Sequence, residues 1–163
     1  MAIIQIVILA FVQGVGEFLP ISSSGHVLVA ASLFERFGST LPADKLTLNI
    51  VLHMGTLAAI LVFYRRRIWQ LLGSDRRVIL PLIVGTIPAV VIGVPLEMCC
   101  DQVLQNPLLA GLMFLVTGWL LLWSAKAGDG TRLCRDLTIS QSLLIGLFQA
   151  FAILPGVSRS GST

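Results

Sequence analysis

A chain of 163 residues that is 56% hydrophobic and only 12% charged is not an ordinary soluble domain, where about 25% of residues are charged. With a mean hydropathy of +0.93 it reads as an integral membrane protein. Its net charge of +3 is small and its basic residues sit in short loops, which excludes a nucleic-acid-binding surface.

The first apolar segment, Ile3–Leu19, ends at Pro20 and a Ser-Ser-Ser-Gly loop and resumes as Val27–Phe37. Met1–Ala10 lacks the positive n-region of a signal peptide, and no small-residue cleavage site precedes Glu17, so it is read as part of the mature protein. Each arm is short for a bilayer span of about 20 residues, and the pair is expected to enter the membrane and return. Three segments are long enough to cross: Leu46–Tyr64, Val78–Leu96 and Pro107–Ala125. Pro88 and Pro95, with Gly85 and Gly93 nearby, predict a kinked second span tolerated by its neighbours. Cys99, Cys100 and Cys134 show no metal-binding spacing and read as small apolar fillers. Ser140–Leu154 then runs into Pro155-Gly156 and a Ser/Arg/Gly loop, a second entering arm.

Basic residues orient these spans. Arg65, Arg66, Arg67, Arg76 and Arg77 fall in one expected loop, and Lys126, Arg132 and Arg135 in another two spans later, so both share a side. The opposite loops hold only Arg36 and Lys45 against Glu35, Asp44, Glu97 and Asp101. The positive-inside rule makes the arginine-rich side cytoplasmic.

The two interrupted arms resemble each other. Gln13 falls on Gln149 and Gly25 on Gly161 at one common offset, with the prolines slipped by one position. Three spans lie between the copies, so the second must enter from the opposite face. The expected fold is therefore all-α: a polytopic membrane protein with re-entrant helix pairs and inverted-topology repeats. The first repeat occupies 1–139, and 140–163 starts a second one that is cut short. Doubling the repeat predicts a natural length of about 270 residues, and broken helices in matching positions of inverted halves point to a midplane binding site.

The chemistry concentrates in those arms. A polar or ionisable group at membrane depth costs roughly 2.5–3.5 kcal/mol on insertion scales and marks a function by default. Gln13 and Glu17 are four apart and share a helix face. They offer oxygen ligands for a divalent cation, or Glu17 deprotonates a neighbour, or it is buried for structure alone. Ser22, Ser23 and Ser24 are candidates to cap the return helix, whose N-terminus is an anion site, and one of them is a candidate nucleophile with His26 as its base. Arg159 is the expected phosphate clamp, because its planar fork matches phosphate oxygens and stays charged. Ser158, Ser160 and Gly161 would add donors around it. His53, near the start of the first full span, is a structural histidine or lines the same pocket. The pattern reads as a site for a phosphate group delivered by a lipid.

Glu17-Phe-Leu-Pro-Ile-Ser-Ser-Ser-Gly-His26 and Pro155-Gly-Val-Ser-Arg-Ser-Gly-Ser-Thr163 resemble the two signature motifs of the bacterial undecaprenyl-diphosphatase, or bacitracin-resistance protein, family. The resemblance extends to Leu52-His53-Met-Gly55-Thr and the arginine-rich stretch that follows. It implies a bacterial inner-membrane enzyme, with its site facing the periplasm, that removes one phosphate from undecaprenyl diphosphate. The monophosphate carrier is thereby regenerated for peptidoglycan synthesis, and bacitracin competes indirectly by binding the substrate. It further implies that Glu17 and Gln13 belong to an acidic motif associated with a divalent cation, Mg2+ or Ca2+. It makes Ser23 the nucleophile assisted by His26, and Arg159 the binder of the diphosphate. The family often has Glu where this chain has Gln13. Two other readings compete: a flippase for a polyprenyl phosphate lipid, and the membrane phosphatase class with a Ser-Gly-His motif. The latter wants an upstream basic motif and a second histidine, and neither is present.

Overall fold

The computed structural model describes residues 2–38, 45–73, 75–127 and 137–163. Asp44, Arg132, Cys134 and Arg135 lie outside the described residues. The three uninterrupted apolar runs form α3 (Lys45–Phe63), α5 (Ile79–Leu104) and α6 (Pro107–Ala127). Helix is what hydrocarbon demands, because no water is present to bond a stray backbone N–H or C=O. Residues 76–100 and 107–126 are each long and apolar enough to cross a membrane. On α6 the side chains of Leu108, Leu115 and Leu122 are all at least 70% exposed. A surface of this kind is an aggregation liability in water and costs nothing against lipid tails. The chain is a membrane protein.

The arginine-rich stretch corrects one expectation. Arg65–Leu72 is not a loop but a helix, α4, bent by 71° from α3. Its first turn is basic and Ile68, Trp69, Leu71 and Leu72 follow, a composition suited to lying in the membrane interface. Arg65 donates to the Val62 carbonyl at 2.9 Å and so places a cation at the C-terminal end of α3, where the helix dipole favours it. Arg67 pairs with Asp75 at 3.0 Å. A single 3-10 turn, Arg76–Val78, leads into α5. That helix contains Pro88 and Pro95, and its backbone leaves helical geometry at Cys100 (φ −126°, ψ 25°). Cys99 and Cys100 are free thiols.

The remaining elements are two interrupted arms. α1 (Ala2–Phe18) turns at Pro20, and α2 (Ser23–Arg36) returns. The return helix starts earlier than the expected Val27. Ser23, Ser24, Gly25 and His26 form its first turn rather than a loop. A Cβ built on Gly16 would lie 2.9 Å from the Ser23 Cα, so the last turn of α1 touches the first turn of α2 backbone to backbone. Leu9, Val27, Ala31, Leu48 and Leu52 join α1, α2 and α3 in one apolar core.

The second arm is α7 (Ile139–Phe151), a turn, and the single-turn α8 (Arg159–Ser162). α7 opens on a capping box in which Thr138 and Gln141 bond each other's backbone. It runs alongside α5 in the same direction, with Gly146 against Gly85 and Pro88, and Ile153 against Gly93. Past Pro155 the chain turns to follow α6, with Gly156 at Ala110 and Met113 and Gly161 at Leu121. The tip of this arm therefore sits partway along a membrane-crossing helix. Non-helical backbone is tolerated there because Pro155, Gly156, Val157 and Ser158 are all buried in protein.

Candidate active site

The tips of the two arms meet. The Gly156 N–H donates to Ser22 Oγ at 3.1 Å. A Cβ on Gly25 would lie 2.7 Å from the Gly156 nitrogen and 2.8 Å from its Cα, so a side chain there would force the two backbones apart. Gly156 adopts φ +94°, which glycine reaches without the steric cost of a Cβ. Ser22 also has a positive φ, 64°. Such backbone costs on the order of 1–3 kcal/mol and persists where its surroundings over-determine it; here the bond to Gly156 does so.

A third element locks the second tip. Thr117, mid-way along α6 and 5% exposed, donates through Oγ1 to the Gly156 carbonyl at 2.6 Å. The same oxygen accepts from the Ser158 N–H at 3.0 Å. One hydroxyl thus fixes the backbone on both sides of Val157, directly before Arg159. Thr117→Val keeps the shape and leaves both backbone groups unpaired. At about 1–3 kcal/mol for each buried group, thermal unfolding in detergent is expected to show a loss of several kcal/mol, with Thr117→Ser close to wild type. Equal stability of the two variants would remove Thr117 from this role.

Between the arms lies a cavity of about 330 Å³ lined by Glu17, Ser22, Ser23, Ser24, His53, Gln149, Ser158, Arg159, Ser160 and Thr163, among others. Glu17 is its carboxylate. Ser23 Oγ donates to Glu17 Oε2 at 2.7 Å, and Gln13 Nε2 donates to the same oxygen at 2.9 Å. Both bonds are charge-assisted. Oε1 has no partner among the described residues. Gln13 is fully buried; it turns its amide donor towards Glu17, and its own Oε1 is left without a partner. Gln13 thus presents its amide nitrogen, not its oxygen, to Glu17. Among the described residues no group of three or more His, Cys, Asp or Glu side chains is placed to hold a metal.

The serines have separate tasks. None caps α2 through its side chain, contrary to expectation. Ser22 stands at the cap position, but its hydroxyl is taken by Gly156, and Ser23 is taken by Glu17. The first-turn N–H groups of α2 are left uncapped at the edge of the cavity, an arrangement that favours an anion. In the second arm Ser158 does cap its helix. It accepts from the Gly161 N–H at 3.2 Å and lies 3.3 Å from Ser160 Oγ. Ser158 and Gly161 thus serve the loop first, while Ser24 and Ser160 line the cavity.

The two histidines are placed differently. His26 Nδ1 lies 2.9 Å from the Ser22 carbonyl, and its ring packs against Phe114 with centroids 4.5 Å apart. It is not among the residues lining the cavity, and Ser23 donates to Glu17 rather than to it. His53 does line the cavity, and its Nδ1 lies 2.9 Å from the Asn49 carbonyl.

Arg159 reaches the same cavity from the second arm. Its guanidinium makes no hydrogen bond or ion pair with any described residue, and it is the one fixed cation among the lining residues. Thr117, Phe114 and Gln149 contribute to the site without having been singled out for it from sequence. A hydroxyl in the middle of an apolar span was the signal for Thr117; nothing local marks Phe114.

The family model described as bacitracin resistance protein BacA matches residues 6–163. The chain is 49% identical over 161 residues to an undecaprenyl-diphosphatase of Rhodopirellula baltica, covering 99% of this chain and 61% of that protein. It is 40% identical over 171 residues to one of Pelotomaculum thermopropionicum, covering 100% and 63%. It is 40% identical over 157 residues to an undecaprenyl-diphosphatase 4 of Bacillus thuringiensis, covering 96% and 59%. The chain thus spans about three-fifths of the length of these curated relatives.

Proposed function

This chain belongs to the bacitracin resistance protein BacA family, and we propose that it carries the site of a bacterial inner-membrane phosphatase converting undecaprenyl diphosphate to undecaprenyl phosphate. One observation carries the reading: the 2.7 Å bond from Ser23 to Glu17, a hydroxyl held by a carboxylate base in a cavity that also receives a guanidinium. That is the signature of an activated nucleophile.

In this reading Ser23 attacks the terminal phosphorus and Glu17 accepts its proton. Arg159 and the first-turn N–H groups of α2 hold the phosphate oxygens and stabilise the charge that spreads over them in transit. Ser24 and Ser160 add hydroxyl donors. The polyprenyl tail stays in lipid, which suits a site partway along α6, and the cavity opens to the periplasmic side. Bacitracin competes from outside by sequestering the lipid. Residues 1–139 and 140–163 then contribute one arm each, as corresponding parts of two repeats.

A divalent cation fits this donor set when it is shared with the substrate, since Mg2+ is usually held by one or two carboxylates together with phosphate oxygens. Glu17 would hold it, and Mg2+ or Ca2+ would supply charge neutralisation on the diphosphate.

The test is phosphate release from a polyprenyl diphosphate in detergent micelles, where there are no two leaflets to move lipid between. Stoichiometric release of inorganic phosphate and lipid monophosphate is expected. A lipid transporter without chemistry gives none, and that outcome would replace this reading.

A further inference from the structure

The elbow where α4 leaves α3 at 71° encloses a groove of about 740 Å³ that shares no lining residue with the cavity between the arms. Ala58, Ala59, Val62 and Phe63 make an apolar wall along the last turns of α3, and Arg65 and Arg66 stand at its end. All six are exposed, and the small side chains at 58 and 59 keep the wall concave. The cations are poorly placed for α4 itself. Three arginines occupy its first turn, at the positive end of the helix dipole, where anions are favoured and cations are not. Tyr64 supplies no side-chain cap. The backbone bonds of α4 begin with the Ile68 N–H on the Tyr64 carbonyl, so the donors ahead of it are those of an open helix start. Two of the three arginines find partners: Arg65 donates to the Val62 carbonyl and Arg67 pairs with Asp75. Arg66 makes no hydrogen bond or ion pair with any described residue.

We propose that this groove holds an anionic glycerophospholipid of the surrounding bilayer, with its phosphate against Arg65 and Arg66 and an acyl chain along Ala58, Ala59 and Val62. The inference stands apart from the phosphatase reading. Depth suits this occupant: α3 is apolar to its end, and α4 carries Ile68, Trp69, Leu71 and Leu72 behind its arginines. The elbow therefore falls where hydrocarbon gives way to headgroups. Basic pockets on the side that the positive-inside rule makes cytoplasmic are where anionic headgroups are held, and a guanidinium fork fits phosphate oxygens. Charge decides between occupants. A second copy docking by this face would bring its own arginines against these and be repelled. An apolar helix would cover the wall but leave the Arg66 charge unpaired at the edge of the hydrocarbon, which is costly. A zwitterionic lipid sets an ammonium beside the arginines. An anionic lipid answers both the wall and the cations.

The test is native mass spectrometry of the full chain in detergent, offered equal amounts of a phosphatidylglycerol and a phosphatidylcholine with the same acyl chains. One phosphatidylglycerol is expected to stay bound in preference to phosphatidylcholine. Arg65→Gln and Arg66→Gln should each weaken its retention about fivefold, and the double variant about 25-fold, at the usual worth of a basic side chain near an anionic surface. Ala58→Phe fills the groove from an exposed position without changing charge. It should lose the lipid as well, while its unfolding temperature without lipid stays at the wild-type level. Added phosphatidylglycerol should raise the unfolding temperature of the wild type, as a ligand of the folded state does, and leave that of Ala58→Phe unmoved. Equal retention of the two lipids by the wild type overturns the proposal, as does undiminished retention in the double arginine variant. Full retention in Ala58→Phe also overturns it, because only diffuse attraction to basic residues is then left. A lipid-free wild-type dimer that Ala58→Phe splits would make the groove a contact between copies and replace the proposal.

Discussion

Arg159→Ala is expected to reduce phosphate release by about 10³-fold or more, the range seen when a guanidinium facing a transferring phosphoryl group is removed. Three charged or ionisable side chains line the cavity: Glu17, His53 and Arg159. Only the last is a permanent cation. The arginines of α4 lie beyond the end of α3 and do not line the cavity. Because Arg159 is exposed and unpaired among the described residues, its loss should leave thermal unfolding unchanged, so the effect is read directly in turnover. Arg159→Lys should recover little, since a point charge on a flexible stem does not reproduce a planar fork on two phosphate oxygens. Near-normal turnover in Arg159→Ala would remove the clamp from the mechanism and leave the α2 N-terminus as the main anion site.

What could be read in advance divides along a physical line. α3, α5 and α6 were legible because an uninterrupted apolar run has one solution in a bilayer. The two arms were legible as a pair because each stops at a proline and a cluster of small polar residues. α4 was not, since three arginines in its first turn hide the periodicity of Ile68, Trp69, Leu71 and Leu72. Nor was the start of α2: Ser-Ser-Ser-Gly has the composition of a turn, and it is helical here because Ser22 takes the reversal in left-handed backbone and Gly16 lets the next residue approach α1. Glu17 and Arg159 could be proposed from charge alone, because lipid makes each of them expensive. Which of the two histidines lines the cavity could not. His26 stands beside the serines in sequence, yet its ring packs on Phe114. His53 is remote in sequence and arrives through the packing of α3 on α1 and α2. Thr117 belongs to the same class: its importance lies in which carbonyl and which N–H the second arm brings to it.

The adjacent serines give the sharpest separation of chemistry from architecture. Ser23→Ala is expected to abolish turnover, a loss on the order of 10⁴–10⁶-fold as for other nucleophile knockouts. Unfolding should be nearly unaffected, because the half-buried hydroxyl it removes bonds only Glu17. Ser22→Ala should do the opposite. It strips the acceptor from the buried Gly156 N–H, at a cost of about 1–3 kcal/mol in stability, and slackens the junction of the two arms while leaving the Ser23–Glu17 pair intact. Measurable turnover should therefore survive, with a lowered unfolding temperature. The contrast follows from one register. Residues 22 and 23 are neighbours, but the left-handed turn at Ser22 aims its hydroxyl at the second arm and the next one at the carboxylate of the first. If the two variants instead lose activity equally and mildly, neither oxygen attacks phosphorus, and the bond between Ser23 and Glu17 is a structural tie like the others around it.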